Sequence, residues 1–266
     1  MNKKFLSFAM ICTILSLAAC SLIPFGPATQ AAPTTAPTPS GLPVNFGNVS
    51  LVIPSGLASG ASFSTSVDVE YPYINPSFGD MPEHTVIELN GFSLQGKIPR
   101  ILVFQADQFA QYTESTQKII AALQALPAQS NTDVPADLST TFFAQTKFLS
   151  SSNFYGIRYL TEVLDGYSPI NNEDIFYYYQ GLSMDRKYYI EALIPINSTF
   201  LAPDSNPDSA VPVDGIPFSV NSMGDVTAIQ NYYNAVKDKL NTADPSAFTP
   251  SLGLLDELIQ SIHIAP

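Results

Sequence analysis

A chain of 266 residues, 45% hydrophobic and only 13% charged, is long enough to bury one sizeable core. Its net charge of −12 is spread without runs of like sign, which excludes the clustered Lys and Arg that nucleic-acid binding requires. Twenty-two prolines and 14 glycines point to a loop-rich fold with interrupted elements.

The first 19 residues read as a signal peptide. Lys3 and Lys4 give a positive start, and Phe5 to Leu17 give an apolar run too short for a comfortable membrane span. The run ends in Leu17-Ala18-Ala19-Cys20, which resembles the lipobox of bacterial lipoproteins. That resemblance implies cleavage before Cys20, a diacylglyceryl group on its thiol, and acyl chains (palmitate among them) holding the protein to the extracytoplasmic face of the cell membrane. The alternative is an ordinary secretory signal with Cys20 incidental. Cys12 falls in the discarded segment, so a mature chain acylated at Cys20 has no free thiol, disulfide or thiolate metal site.

Residues 20–43 follow, rich in Pro, Thr and Ala and without charge. This composition buries too little surface to offset chain entropy, and it reads as an extended tether without fixed structure. A single domain is expected over residues 44–266, with no later linker and no internal repeat. Val49 to Ile53 and Ala61 to Val69 suit strands, and Tyr71 to Glu83 is a loop punctuated by three prolines. Thr85 to Leu89 alternates as a strand, Asn90-Gly91 fits a turn, and Gly96 to Gln105 gives a further strand. Ile119, Ile120, Leu123 and Leu126 form a helical stripe over Thr113–Leu126, while Phe142 to Leu149 fits helix and strand equally.

Phe154 to Ile196 is the stretch around which the chain is organised. Tyr155, Ile157 and Tyr159 alternate as a strand; Ile175 to Leu182 and Lys187 to Ile196 suit two more, joined by a turn at Ser183-Met184-Asp185-Arg186. The segment holds eight of the 13 tyrosines. Towards the C-terminus, Val226, Ile229, Tyr233, Val236 and Leu240 predict a helix over Asp225–Leu240. Thr249-Pro250 predicts the start of another over Pro250–Ile262, with Thr249 as cap. The fold class is therefore α+β, an antiparallel sheet with helices packed on it.

Chemistry is sparse. His84 and His263 are the only histidines, no Gly-x-Ser-x-Gly elbow occurs, and no His spacing suits zinc, so neither a cofactor nor a metal is expected. Glu173-Asp174 and Asp256-Glu257 are adjacent acids of the kind a hydrolase needs, though such pairs more often sit solvated at element starts. Asp204 to Asp214 has oxygen ligands at alternate positions, as a calcium loop does, but Ser209, Gly215 and Pro207 break that pattern and a polar loop fits better. Neighbouring tyrosines must divide between the two sheet faces. An exposed aromatic surface for glycans or peptides would use Tyr177, Tyr179 and Tyr188, provided they face solvent; cross-strand packing under helices is the favoured alternative.

Several stretches together resemble a group of exported bacterial proteins of no assigned activity: Gly156-Ile157-Arg158-Tyr159-Leu160-Thr161, Pro169-Ile170-Asn171-Asn172, Tyr179-Gln180-Gly181-Leu182, and Phe248-Thr249-Pro250 through Leu255-Asp256 to Ser261. Related sequences tend to carry Gly where this one has Arg186. More remotely, antiparallel strands closed by a C-terminal helix look like the PsbP-like α/β/α sandwich. The resemblance implies a fold and no catalytic residues. These readings lead to a tethered binding or scaffolding module for a glycan, peptide or envelope protein, with an extracytoplasmic carboxylate-using hydrolase as the alternative.

Overall fold

The computed structural model describes residues 40–67, 81–94, 96–128, 134–138, 142–162, 166–219 and 224–265. The signal peptide, Cys20 and the tether up to residue 39 lie outside them, as does most of the Pro-punctuated loop before Glu83.

Seven strands make one antiparallel sheet: β3 (Gly60–Ser66), β4 (His84–Asn90), β5 (Arg100–Gln105), β6 (Phe143–Ser150), β7 (Phe154–Thr161), β8 (Phe176–Ser183) and β9 (Tyr188–Pro195). Their order is β3-β4-β5-β9-β8-β7-β6. The tyrosine-rich strands β8 and β9 thus lie in the middle, and every residue of β7 and β8 is buried. With both faces covered, the residues between Tyr155, Ile157 and Tyr159 are buried as well, Gly156 and Arg158 included. The rim strand β3, GASFSTS, is short on apolar side chains and has no buried residue, as suits an uncovered edge.

Each face has its own core. Helices α1 (Ala106–Tyr112) and α2 (Glu114–Ala125) cover Leu102, Phe104, Ile157, Tyr159, Tyr178 and Tyr189. The opposite face, bearing Ile101, Val103, Tyr177, Tyr179, Ile190 and Ile194, is covered by α3 (Val226–Thr242) and α4 (Leu252–Gln260). A small sheet of β1 (Gly41–Phe46), β2 (Val49–Pro54) and β12 (His263–Ile264) packs on that same side through Val49, Leu51 and Ile53. A two-stranded pair, β10 (Asn197–Ser198) with β11 (Phe248–Thr249), completes the described elements. The fold is α+β, with helices on both faces of an antiparallel sheet. Among the described residues no helix is long and apolar enough to cross a membrane.

Four details differ from the sequence reading. The ordered domain begins before Val44: Gly41, Leu42 and Pro43 pair with Pro54, Ile53 and Val52. Pro43 is tolerated because β1 is an edge strand and its missing N–H breaks no ladder on the open side. Helix α1 occupies residues between the strand expected to end at Gln105 and the helix expected from Thr113, to which the sequence reading assigned no element. Its single deep anchor, Phe109, stacks on Tyr189 at 4.3 Å, too little pattern to show a period. Phe142 to Leu149 forms strand β6, and its ambiguity has a cause in Gln145, which sits at φ 54 in a bulge that shifts the register between Ala144 and Lys147. Finally, α4 is capped by Ser251, whose hydroxyl accepts from the Leu254 amide, while Thr249 pairs in β11. Thr113, where the helix was expected to start, is the cap of α2, in a reciprocal box with Thr116.

Candidate functional site

The tyrosine surface is absent from this fold. Tyr177 and Tyr179 are 0% and 1% exposed beneath α3 and α4, so the condition of facing solvent is not met. Tyr188 is half-buried and its hydroxyl accepts from the Asn48 side chain. Tyr178 and Tyr189 turn to the other face and are equally covered. Tyr179 lies across a facing pair of glycines, Gly156 and Gly181, which leave room for its ring. Among the described residues helices cover these sheet tyrosines on both faces, as in the cross-strand packing weighed against the open surface.

Three acids are buried among the described residues: Glu191, which accepts from Tyr178 OH, and Asp256 and Glu162, which anchor two larger arrangements. Asp256, on the inner side of α4, accepts from Arg158 Nε at 3.1 Å and Tyr177 OH at 3.1 Å through Oδ1, and from Lys147 Nζ at 2.8 Å through Oδ2. Arg158 is 3% exposed and also donates to the Gln145 carbonyl. The bulged Gln145 in turn caps α3, its side-chain amide donating to Leu240 O and Ala243 O at 2.7 and 2.9 Å. The bulge, the end of α3 and the inner side of α4 are thus tied through one ion cluster. Two cations oppose one carboxylate there, and the group is a structural tie.

Glu162, at the end of β7, is the second. It is 2% exposed, and both oxygens accept from Asn171: Oε2 from the backbone N–H at 3.0 Å and Oε1 from Nδ2 at 3.1 Å. The same Asn171 amide reaches Asp174 Oδ2 at 3.0 Å. Burial pushes the Glu162 carboxyl up to about 8; the Asn171 amide opposes the rise and the nearby Asp174 charge adds to it. Above it, the loop through Ser168 and Ile170 is pinned to α3. Ile170 N donates to Tyr232 OH at 3.0 Å, and Tyr233 OH donates to Ser168 O at 2.9 Å. Nothing in sequence spacing marked Glu162, Arg158 or Gln145; the Pro169-Ile170-Asn171-Asn172 stretch was the nearest signal.

Other sequence candidates fall apart in space or in chemistry. His84 is a core histidine, 3% exposed, stacked on Phe104 at 4.4 Å, with Nδ1 on the Pro82 carbonyl and a pKa lowered by burial. His263 is exposed in β12. The Asp204 loop closes on itself, with Asp204 Oδ1 accepting from Asn206 N and Ser209 Oγ, and no group of three metal-ligating side chains exists among the described residues. Glu173 and Asp174 border a recess of only about 190 Å³ with Lys97 and Arg100, below the usual size of a small-molecule site. There, Lys97 donates to the Glu173 carbonyl, and Arg100 Nε pairs with Glu88.

The opening with the better composition lies between α3 and the start of β6. It has a volume of about 400 Å³. Phe142, Phe143 and Tyr233 line its wall, Tyr167 stands at 49% exposure on its lip, and Gln230, Asn234 and Lys237 add polar groups from α3. Lys237 Nζ sits 4.1 Å over the Phe143 ring, fixing both side chains. No family model matches the chain, and no curated protein matches it at significance. The chemistry must therefore be argued from the geometry alone.

Proposed function

We propose that this protein is a lipid-anchored binding module of the cell envelope, held by Cys20 and its Pro/Thr-rich tether, whose seat for an envelope glycan is the α3–β6 groove. The observation that carries this is the groove's composition: the exposed Tyr167 ring and the half-buried Phe143 and Tyr233 rings beside the side-chain amides of Gln230 and Asn234. A sugar ring offers an apolar face to stack on an aromatic ring and hydroxyls that exchange hydrogen bonds with a planar amide. Hydrolysis has less support, because a general acid must reach its substrate. Glu162 is sealed with both oxygens occupied, and Asp256 is bound by two cations and a phenol.

Two measurements test this reading. Cys20→Ser should release the protein from membranes or leave it unprocessed; unchanged membrane partition with a mature N-terminus elsewhere would remove the anchor. Soluble cell-wall glycan fragments should bind the wild type, and Tyr167→Ala with Asn234→Ala should weaken that binding at least about tenfold. Equal binding by both proteins would place the ligand elsewhere.

A further inference from the structure

A second opening lies at the other end of β6, beneath the β8–β9 turn, with a volume of about 400 Å³. Its walls are apolar: Leu126 at the end of α2, Phe148 and Leu149 from β6, and Met184, which is 48% exposed at the rim. Two polar groups converge on it. Tyr155 is nine-tenths buried, and no protein acceptor takes the proton of its hydroxyl. A buried hydroxyl whose proton has no acceptor is disfavoured until something arrives to take it. Arg186 is the other. Its guanidinium lies close enough to oppose the burial-driven rise of the Tyr155 pKa, and it pairs with no carboxylate among the described residues. Its neighbours Asp185 and Lys187 pair with each other instead.

The backbone sharpens the case. Ser183 O accepts from Arg186 N at 2.8 Å, closing the turn, and Arg186 then sits at φ 62, in the left-handed region that suits glycine. A non-glycine residue is disfavoured there, and closing the turn does not call for a long cationic side chain. What this side chain does supply is an unpaired positive charge at the mouth of an apolar recess, in a chain whose net charge is −12.

We propose that this recess binds a small organic monoanion, a carboxylate carrying a short apolar body. Arg186 faces the carboxylate, Tyr155 OH donates to one of its oxygens, and Leu126, Phe148 and Leu149 surround the body. A fork of guanidinium donors with one phenol matches the two oxygens of a carboxylate. A phosphate dianion would call for a second cation, and Lys187 is engaged with Asp185. The site is separate from the α3–β6 groove and does not depend on it.

The test is calorimetric titration of the Cys20→Ser chain, processed to begin at residue 20, with octanoate. Acetate supplies the charge without the body, and octanol the body without the charge. Saturable octanoate binding is expected in the submillimolar range, at least about tenfold tighter than either control. Arg186→Gly should weaken it about tenfold or more while melting at or above the wild-type temperature, because the turn is relieved. Tyr155→Phe should weaken it severalfold, the ring remaining in place. Arg186→Gln, which keeps the side chain's length without its charge, should bind as weakly as Arg186→Gly. Equal octanoate binding by wild type and both Arg186 variants, or octanol matching octanoate, would overturn the proposal. So would the absence of saturation up to 10 mM octanoate (roughly 3 kcal/mol of binding at 1 M standard state).

Discussion

Replacing Glu162 by Gln should flatten the pH dependence of stability. In the fold the carboxyl titrates at about 8, against an ordinary value of 4.5, because burial disfavours its charged form. Between those values the folded chain keeps the proton that the unfolded chain has released. The unfolded state then binds fewer protons, so stability falls as pH rises through the window. The slope is about 1.4 kcal/mol per pH unit for one group. From pH 6 to pH 8 the wild type should therefore lose about 2.5 kcal/mol through this residue, tapering as the folded group begins to ionise. A domain of this size shifts by about 2–4 °C per kcal/mol, which gives a fall in Tm of roughly 5–10 °C.

Glutamine is always neutral, so the variant should lack that slope. It also places an NH2 against one of the two Asn171 donors that Glu162 now accepts from, a fixed cost of about 1–3 kcal/mol at every pH. The intercept and the slope thus report different things. Thermal unfolding of both proteins at pH 5, 6, 7 and 8 separates them, and groups common to both, His84 included, cancel in the difference. Parallel curves, displaced but equally steep, would refute the assignment of a raised carboxyl to Glu162.

Two further substitutions probe the frame around the sites. Asp256→Asn leaves the Arg158 guanidinium buried without its counter-charge and should cost about 3–5 kcal/mol, read as a lower denaturant midpoint at unchanged m-value. Lys147→Met removes a partner that is half exposed and should cost under about 1 kcal/mol; a comparable loss from both would mean that Arg158 is not what Asp256 serves. Gly156→Ala drives a methyl into the Gln180 carbonyl and to 2.6 Å from the Tyr179 hydroxyl, and should cost about 3 kcal/mol or prevent folding. A soluble variant within about 0.5 kcal/mol of wild type would disprove the close approach.

Period-two and period-3.6 patterns located β7, β8, β9, α2, α3 and α4 because each buries a continuous face long enough to repeat. They failed where the burying unit is short or irregular. Helix α1 rests on one phenylalanine, β10 to β12 have two residues each, and β6 loses its alternation at Gln145. The polar sites were illegible for another reason. Asp256 meets Arg158 across 98 positions and Tyr177 across 79, and those distances in sequence carry no spacing rule. Arg186 was legible only in part: its place in a tight turn could be read, and the resemblance to related sequences implied Gly there, but not the hydroxyl of Tyr155 beneath it.

Covering both faces of the sheet confines recognition to strand ends. The two openings of about 400 Å³ sit at opposite ends of β6, one reached from Phe142 and Phe143, the other from Phe148 and Leu149. Six residues of strand separate them by roughly 17–20 Å. Between them lie the bulge at Gln145 and the Arg158–Asp256 pair, a rigid stretch whose polar groups are tied to both α3 and α4. Coupling over that distance needs an element with two arrangements, and a bonded bulge between two helices offers one. Occupancy of one opening should therefore leave the other unchanged. Octanoate should bind Tyr167→Ala with the wild-type constant, and the stability changes of Tyr167→Ala and Arg186→Gly should add to within about 0.5 kcal/mol in the double variant. A larger discrepancy would mean that β6 transmits strain along its length, and that the bulge is a hinge and not a brace.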